Sequence, residues 1–164
     1  GRVLATAMMT HELHDKRVLE VGCGLGLASL VMHRRMVNIT ATDCHPLAGA
    51  FLQANTALNG LPPMKYSPGN WIEMQTGLGL FDLIVGSDVL YERDEAGALA
   101  HFIERHAQAR AEVLIVDPDR GNRSHFNRHM ALQGFVLTES RADCATYKGR
   151  ILRYWREARP ASLA

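Results

Sequence analysis

Short aliphatic and β-branched runs recur along the chain at residues 17–21, 38–42, 81–85 and 112–116, separated by longer stretches whose apolar residues return every three or four positions. A brief, nearly continuous apolar run reads as a strand buried on both faces, whereas a spacing near 3.6 reads as a helix with one apolar face. The helical stretches are 3–14, 25–35, 46–58, 94–109 and 124–133. Pro46 suits a first helical turn, where a missing N–H costs nothing. That helix ends at Asn59-Gly60-Leu61-Pro62-Pro63, which cannot continue it. A short strand over 64–67 follows. Residues 135–140 and 150–155 also read as strands, with too little chain between them for a crossover helix, so they pair antiparallel.

Five parallel strands with intervening helices, closed by a hairpin, predict an α/β fold: a Rossmann-like, doubly wound seven-stranded sheet, mostly parallel, with a C-terminal antiparallel hairpin. In such a sheet ligands bind beyond the carboxyl ends of the central strands, where the strand order reverses. Functional residues are therefore expected just after strands.

Composition narrows the partners. The 164 residues, 47% of them hydrophobic, suit one domain. Eighteen basic against seventeen acidic residues leave a net charge of +1, without the broad positive field that binds nucleic acid. No apolar run approaches the roughly 20 residues that span a bilayer, so no membrane partner is expected. The cysteines, Cys23, Cys44 and Cys144, form no C-x-x-C pair. They read as reduced thiols of a cytoplasmic protein. The eight histidines fall outside metal-ligand spacings, so no metal is expected.

Chemistry concentrates after the strands. The first is followed by Glu20-Val21-Gly22-Cys23-Gly24-Leu25-Gly26, leading into Leu27-Ala28-Ser29-Leu30. Glycines let the backbone turn sharply and approach a ligand closely. A dinucleotide loop reads Gly-x-Gly-x-x-Gly, but here the sixth position is Leu27. Glu20, two residues before the first glycine, opposes a pyrophosphate and favours a cationic ligand, which suits S-adenosylmethionine (SAM) with its ammonium and sulfonium. Asp43 ends the second strand, seventeen residues after Gly26, where a carboxylate accepts hydrogen bonds from ribose hydroxyls; the competing role is a helix cap. Asn70-Trp71 follows the third strand, the amide suited to the adenine edge and the indole to the ring or to simple packing. The fourth strand runs into Gly86-Ser87-Asp88-Val89-Leu90-Tyr91-Glu92. There the small Ser87 leaves room for a ligand, and Asp88 with Tyr91 stands where a methyl donor would meet its acceptor. Arg120 and Arg123, after the fifth strand, read as a solvated loop or as a contact for an acidic partner.

Together, the loop at 18–26, Ala41-Thr42-Asp43, the helix with Asn55 and Asn59, Asn70-Trp71 and Ser87-Asp88-Val89-Leu90-Tyr91-Glu92 resemble the seven-β-strand methyltransferases of family 16, which include many protein-lysine methyltransferases. The resemblance covers nearly the whole chain. It implies SAM as cofactor, with Glu20, Gly22, Gly24, Gly26, Asp43, Asn70, Trp71 and Ser87 as the cofactor-binding residues, Asp88 and Tyr91 as the catalytic pair, and an amine as acceptor, either a protein lysine or a small molecule. Family members carry a further N-terminal segment before the first helix, so residues 1–164 are expected to be a single domain lacking that segment. Asn70 stands where the family commonly has Asp.

Rival chemistries fit less well. Amino-group methylation of adenine or glutamine goes with Asn-Pro-Pro-Tyr or Phe after the fourth strand, where this chain has Ser87-Asp88-Val89-Leu90. Cytosine C5 methylation needs a catalytic thiolate, and no cysteine falls on the acceptor side. A small-molecule N- or O-methyltransferase and a non-catalytic SAM-fold binding module stay open, while Leu27 and Glu20 disfavour an NAD-dependent oxidoreductase.

Overall fold

In the computed structural model, residues 1–72, 77–94, 96–144 and 146–158 are described. The chain runs α1 (Arg2–Thr10), β1 (Arg17–Val21), α2 (Leu27–Arg34), β2 (Asn38–Asp43), α3 (Ala48–Leu58), β3 (Lys65–Pro68), β4 (Phe81–Ser87), α4 (Ala98–His106), β5 (Ala107–Asp117), α5 (Arg123–Leu132), β6 (Val136–Arg141) and β7 (Arg150–Arg156). One seven-stranded sheet has the order β3-β2-β1-β4-β5-β7-β6. β1 to β5 pair in parallel, and β7 is antiparallel to both β5 and β6. The expected doubly wound sheet and terminal hairpin are both present.

Strand alternation divides the core into two layers. Leu19, Val21, Ile84, Val113 and Ile115 pack with Leu99, Phe102, Phe126 and Met130 of α4 and α5. Their neighbours Val18, Ala41, Leu83, Val85, Leu114 and Val116 pack on the other face with Leu4, Met8, Met32 and Leu52 of α1, α2 and α3. Successive side chains of a strand point to opposite faces, so the continuous apolar runs in the sequence supply both layers at once.

Several boundaries differ from the sequence reading. The first helix stops at Thr10 rather than reaching residue 14. The Arg35 guanidinium takes the carbonyls of Met8 and His11 at 2.5 and 3.0 Å, satisfying acceptors that another helical turn would have used. Pro46 lies in a turn ahead of α3 rather than in its first turn. The His45 carbonyl and ring accept from Ala48 N (3.0 Å) and Leu47 N (3.2 Å), closing that turn before the helix begins. The largest difference is at 94–109. The helix covers only Ala98–His106, because the Asp94 carboxylate captures the amides of Ala98 and Leu99 at 2.9 and 3.1 Å and starts it late. It ends early because Ala107 already pairs with Phe81 in the sheet, making β5 eleven residues long.

Candidate functional site

The strand order reverses between β1 and β4, which leave in opposite directions across the sheet. At that switch point, beyond the carboxyl ends, lies a cavity of about 360 Å³, within the rough 300–1,000 Å³ range of small-molecule sites. It brings together Gly22, Asp43, Asn70, Trp71, Ser87, Asp88 and Tyr91 from four separate loops. Glu20, Gly24 and Gly26 do not line it.

The loop after β1 is fixed by its own backbone and by β2. Cys23 N donates to Thr42 O at 3.0 Å, and Gly24 N donates to Asp43 Oδ2 at 2.8 Å. Gly24 has φ +53, and nothing stands within 4 Å of the place a Cβ would occupy, so the loop leaves open space above it. Gly26, with φ +77, is glycine for a different reason: a Cβ would collide with the buried Leu52 of α3. Asn55 of the same helix donates from Nδ2 to Leu25 O at 2.9 Å and steadies the loop from that side.

Asp43 is held at both oxygens, since Oδ1 accepts from His45 N at 2.8 Å. Each carboxylate oxygen keeps a second lone pair, so the group can still accept from two vicinal hydroxyls. The alternative role as a helix cap is not taken, because α3 starts five residues later and its N-cap residue is Leu47. Asn70 Oδ1 accepts from Ile72 N at 3.2 Å, forming a local turn that leaves its NH2 group without a role in that turn. Trp71 is half-buried and does two things, lining the cavity and packing against the layer beneath.

Glu20 is only 3% exposed, and its carboxylate accepts from the Ser29 hydroxyl of α2. Burial pushes its pKa up to about 7, opposed by the Ser29 bonds. It therefore sits under the loop as a buried acid. Cys23 is likewise buried, and burial together with the nearby Glu20 and Asp43 charges pushes its thiol up to about 12. That is the opposite of an activated nucleophile.

On the β4 side, Asp88 adopts the left-handed region at φ +58, and its amide donates to Val116 O at 2.8 Å. A non-glycine residue held there is uncommon and recurs at functional sites. Its carboxylate is taken side-on by Arg120, Nε to Oδ1 at 2.5 Å and Nη2 to Oδ2 at 2.7 Å. Asn122 donates from Nδ2 to the carbonyls of Leu90 and Tyr91, both at 3.2 Å. The loop between β5 and α5 thus grips the segment that carries Asp88 and Tyr91. Sequence reasoning took Arg120 for a solvated or partner-facing residue and passed over Asn122. The available signal was the adjacency of the fourth and fifth strands, which places their carboxyl-end loops side by side. Tyr91 is half-exposed at the cavity. Ser87 Oγ accepts from the Gly1 nitrogen at 3.0 Å.

The strand order 3-2-1-4-5-7-6, with a crevice at its switch point, is that of the class I methyltransferase fold. The same fold is seen in the crystal structure of magnesium protoporphyrin IX methyltransferase from Synechocystis with bound SAM, with a TM-score of 0.74 at 20% identity over 94% of this chain and 76% of that one. The chain belongs to the lysine methyltransferase family, whose model matches residues 2–132. It is 35% identical to the electron transfer flavoprotein beta subunit lysine methyltransferase of Mus musculus over 124 residues, covering 74% of this chain and 48% of that protein. It is 32% identical to protein N-lysine methyltransferase METTL21A of Danio rerio, covering 63% of this chain and 50% of that protein. The chain spans about half the length of these curated relatives.

Proposed function

We propose that the protein is a SAM-dependent methyltransferase whose acceptor is an amine, foremost a lysine of a protein substrate. The observation that carries this reading is the meeting, in one cavity, of the Gly22 loop and Asp43 on one side with Asp88 and Tyr91 on the other. The first pair suits a nucleoside and the second a polar acceptor. Family membership supports the lysine, and the two relatives above are named as lysine methyltransferases.

The residues present fit SAM. Asp43 would take the ribose hydroxyls, the open space over Gly24 admits the ligand's chain close to the backbone, and Asn70 with Trp71 would receive the adenine. Glu20 would hold the loop from beneath through its bond with Ser29. When bound, SAM supplies an activated methyl group that needs no covalent enzyme intermediate. The chain's own task is alignment of the amine and exclusion of water. Asp88 would accept an N–H of the neutral amine, and Tyr91 would form a wall of its channel. The amine nitrogen bonds to the methyl carbon as the carbon–sulfur bond breaks, and the proton of the resulting ammonium leaves to solvent.

Three free thiols, Cys23, Cys44 and Cys144, suit a reducing compartment, and we place the protein in the cytoplasm. Among the described residues, no helix is long and apolar enough to cross a membrane. The test is to incubate full-length protein with methyl-labelled SAM and a lysate of its own source, then locate the label. Label on protein lysine supports the reading. Label confined to metabolites moves the acceptor to a small molecule, and SAM binding without any transfer leaves a binding module.

A further inference from the structure

We infer that Arg120 is a positioning residue of the acceptor site: by neutralising the Asp88 carboxylate it lets that carboxylate accept an N–H from the acceptor amine without holding the amine in its protonated form. This rests on the function proposed above. The fork of Arg120 uses one lone pair on each Asp88 oxygen, at 2.5 and 2.7 Å, and the second lone pair of each remains. Asp88 lines the cavity and Arg120 does not. The guanidinium therefore reaches the carboxylate from outside, and the ion pair does not have to open for an acceptor to arrive.

The loop that delivers Arg120 is itself anchored. Asp119 accepts from Arg123 at 2.6 Å and from Arg141 and Arg150 at 3.2 Å each, tying the loop to α5, β6 and β7. Two residues beyond Arg120, Asn122 holds the carbonyls of Leu90 and Tyr91. Arg120 is thus presented to Asp88 between two fixed points rather than left on a free strand of chain.

The chemistry explains why such a cation belongs there. An amine attacks only through its lone pair. A carboxylate within roughly 4–6 Å of an ammonium favours the charged form and raises its pKa by about one unit or more. An unopposed Asp88 would bind the amine well and keep it unreactive. A guanidinium on the same carboxylate cancels much of that field while leaving the hydrogen-bond acceptor in place. Other charged or titratable groups also face this region. Glu92, Arg93 and Asp94 line the cavity on the same segment, and Asp43 lines it from β2. Asp117, Asp119 and Arg123 stand around the β5–α5 loop, and Tyr147 of the β6–β7 connection lies within range of the Asp88 charge.

The experiment uses full-length wild type, Arg120→Gln and Arg120→Lys, with SAM and the acceptor peptide located by the labelling experiment. The acid limb of kcat against pH reports ionisation in the bound complex. In Arg120→Gln it is expected to move to higher pH by roughly half to one unit, with kcat below the limb falling by about three- to tenfold. Arg120→Lys restores the wild-type limb, and SAM affinity is the same in all three. An unmoved limb in Arg120→Gln overturns the inference whatever happens to KM: a lowered KM would make Arg120 a cation that competes with the acceptor, and an unchanged KM would make the pair a surface contact. Failure of wild type to methylate any amine overturns the proposed function itself, a result distinct from an unmoved limb.

Discussion

At the scale of single residues, Asp88 and Glu20 are two acids with opposite surroundings and separable tests. In the proposed mechanism Asp88 would contact the acceptor and not the nucleoside, so Asp88→Ala should lower methyl transfer on the order of 100-fold, the loss expected from misalignment at the reacting centre. SAM affinity measured by calorimetry should stay at the wild-type value; retained activity on the true acceptor would remove the assignment. Glu20 is buried with a pKa near 7, above its unfolded value of 4.5. The native state then holds a proton that the unfolded chain has released, so stability should fall as pH rises from about 4.5 through 7, by about 3 kcal/mol in total. Urea midpoints at mildly acid and at neutral pH should show that slope in wild type and lose it in Glu20→Gln. An equal slope in both would mean that another group is responsible. Asp43, Asp88 and Tyr91 were legible as candidates because each stands at or just after a strand end, and the structure brings all three to the cavity beyond those ends. The Arg120 partner of Asp88 was not, since the two are 32 residues apart and meet only through sheet order. Glu20 was legible as an acid at the loop, but its burial against Ser29 depends on the packing of α2.

Elements were legible in kind and less so in extent, and α4 shows why. The sequence pattern puts Asp94 at the start of the helix, whereas it stands ahead of α4 and caps it by a four-residue reach to the Ala98 amide. The far end was misread because Ala107, Gln108 and Ala109 favour helix locally, while pairing of Ala107 with Phe81 draws the backbone into β5. Tertiary pairing overrides local propensity when a buried sheet edge is waiting. The cap carries a testable consequence. Asp94→Ala removes both acceptors from the first turn of α4 and should cost about 1 kcal/mol. Amide exchange should quicken at Ala98 and Leu99 while α5 remains as protected as in wild type. Uniform quickening across both helices would show that Asp94 supports the fold globally rather than one helix end.

Across the whole molecule the two ends of the sheet have different tasks. The carboxyl edge carries the glycine loop, Asp43 and Asp88. Near the amino end of β5, opposite Ala111, lies Arg156, with a fully buried side chain. Its guanidinium bonds Glu104 of α4 at 2.5 Å, the Gln133 carbonyl after α5 at 2.9 Å, and the Ala109 and Gln108 carbonyls of β5 at 3.1 and 3.2 Å. It also lies over the Phe135 ring at 4.3 Å. One side chain of β7 thus closes the layer that α4 and α5 make with the sheet. Nothing local in the sequence announces this, because its partners lie 23 to 52 residues away. Removing one member of a buried charged network leaves its partners unsatisfied, at a cost of about 3–5 kcal/mol. Arg156→Ala should therefore lower Tm by on the order of 10 °C in a domain of this size. Because the site occupies the other edge, SAM affinity measured well below that Tm should match wild type. Affinity that falls in step with stability would mean that the two ends are coupled through the sheet, and that the separation of a stabilising edge from a ligand-binding edge does not hold in this protein.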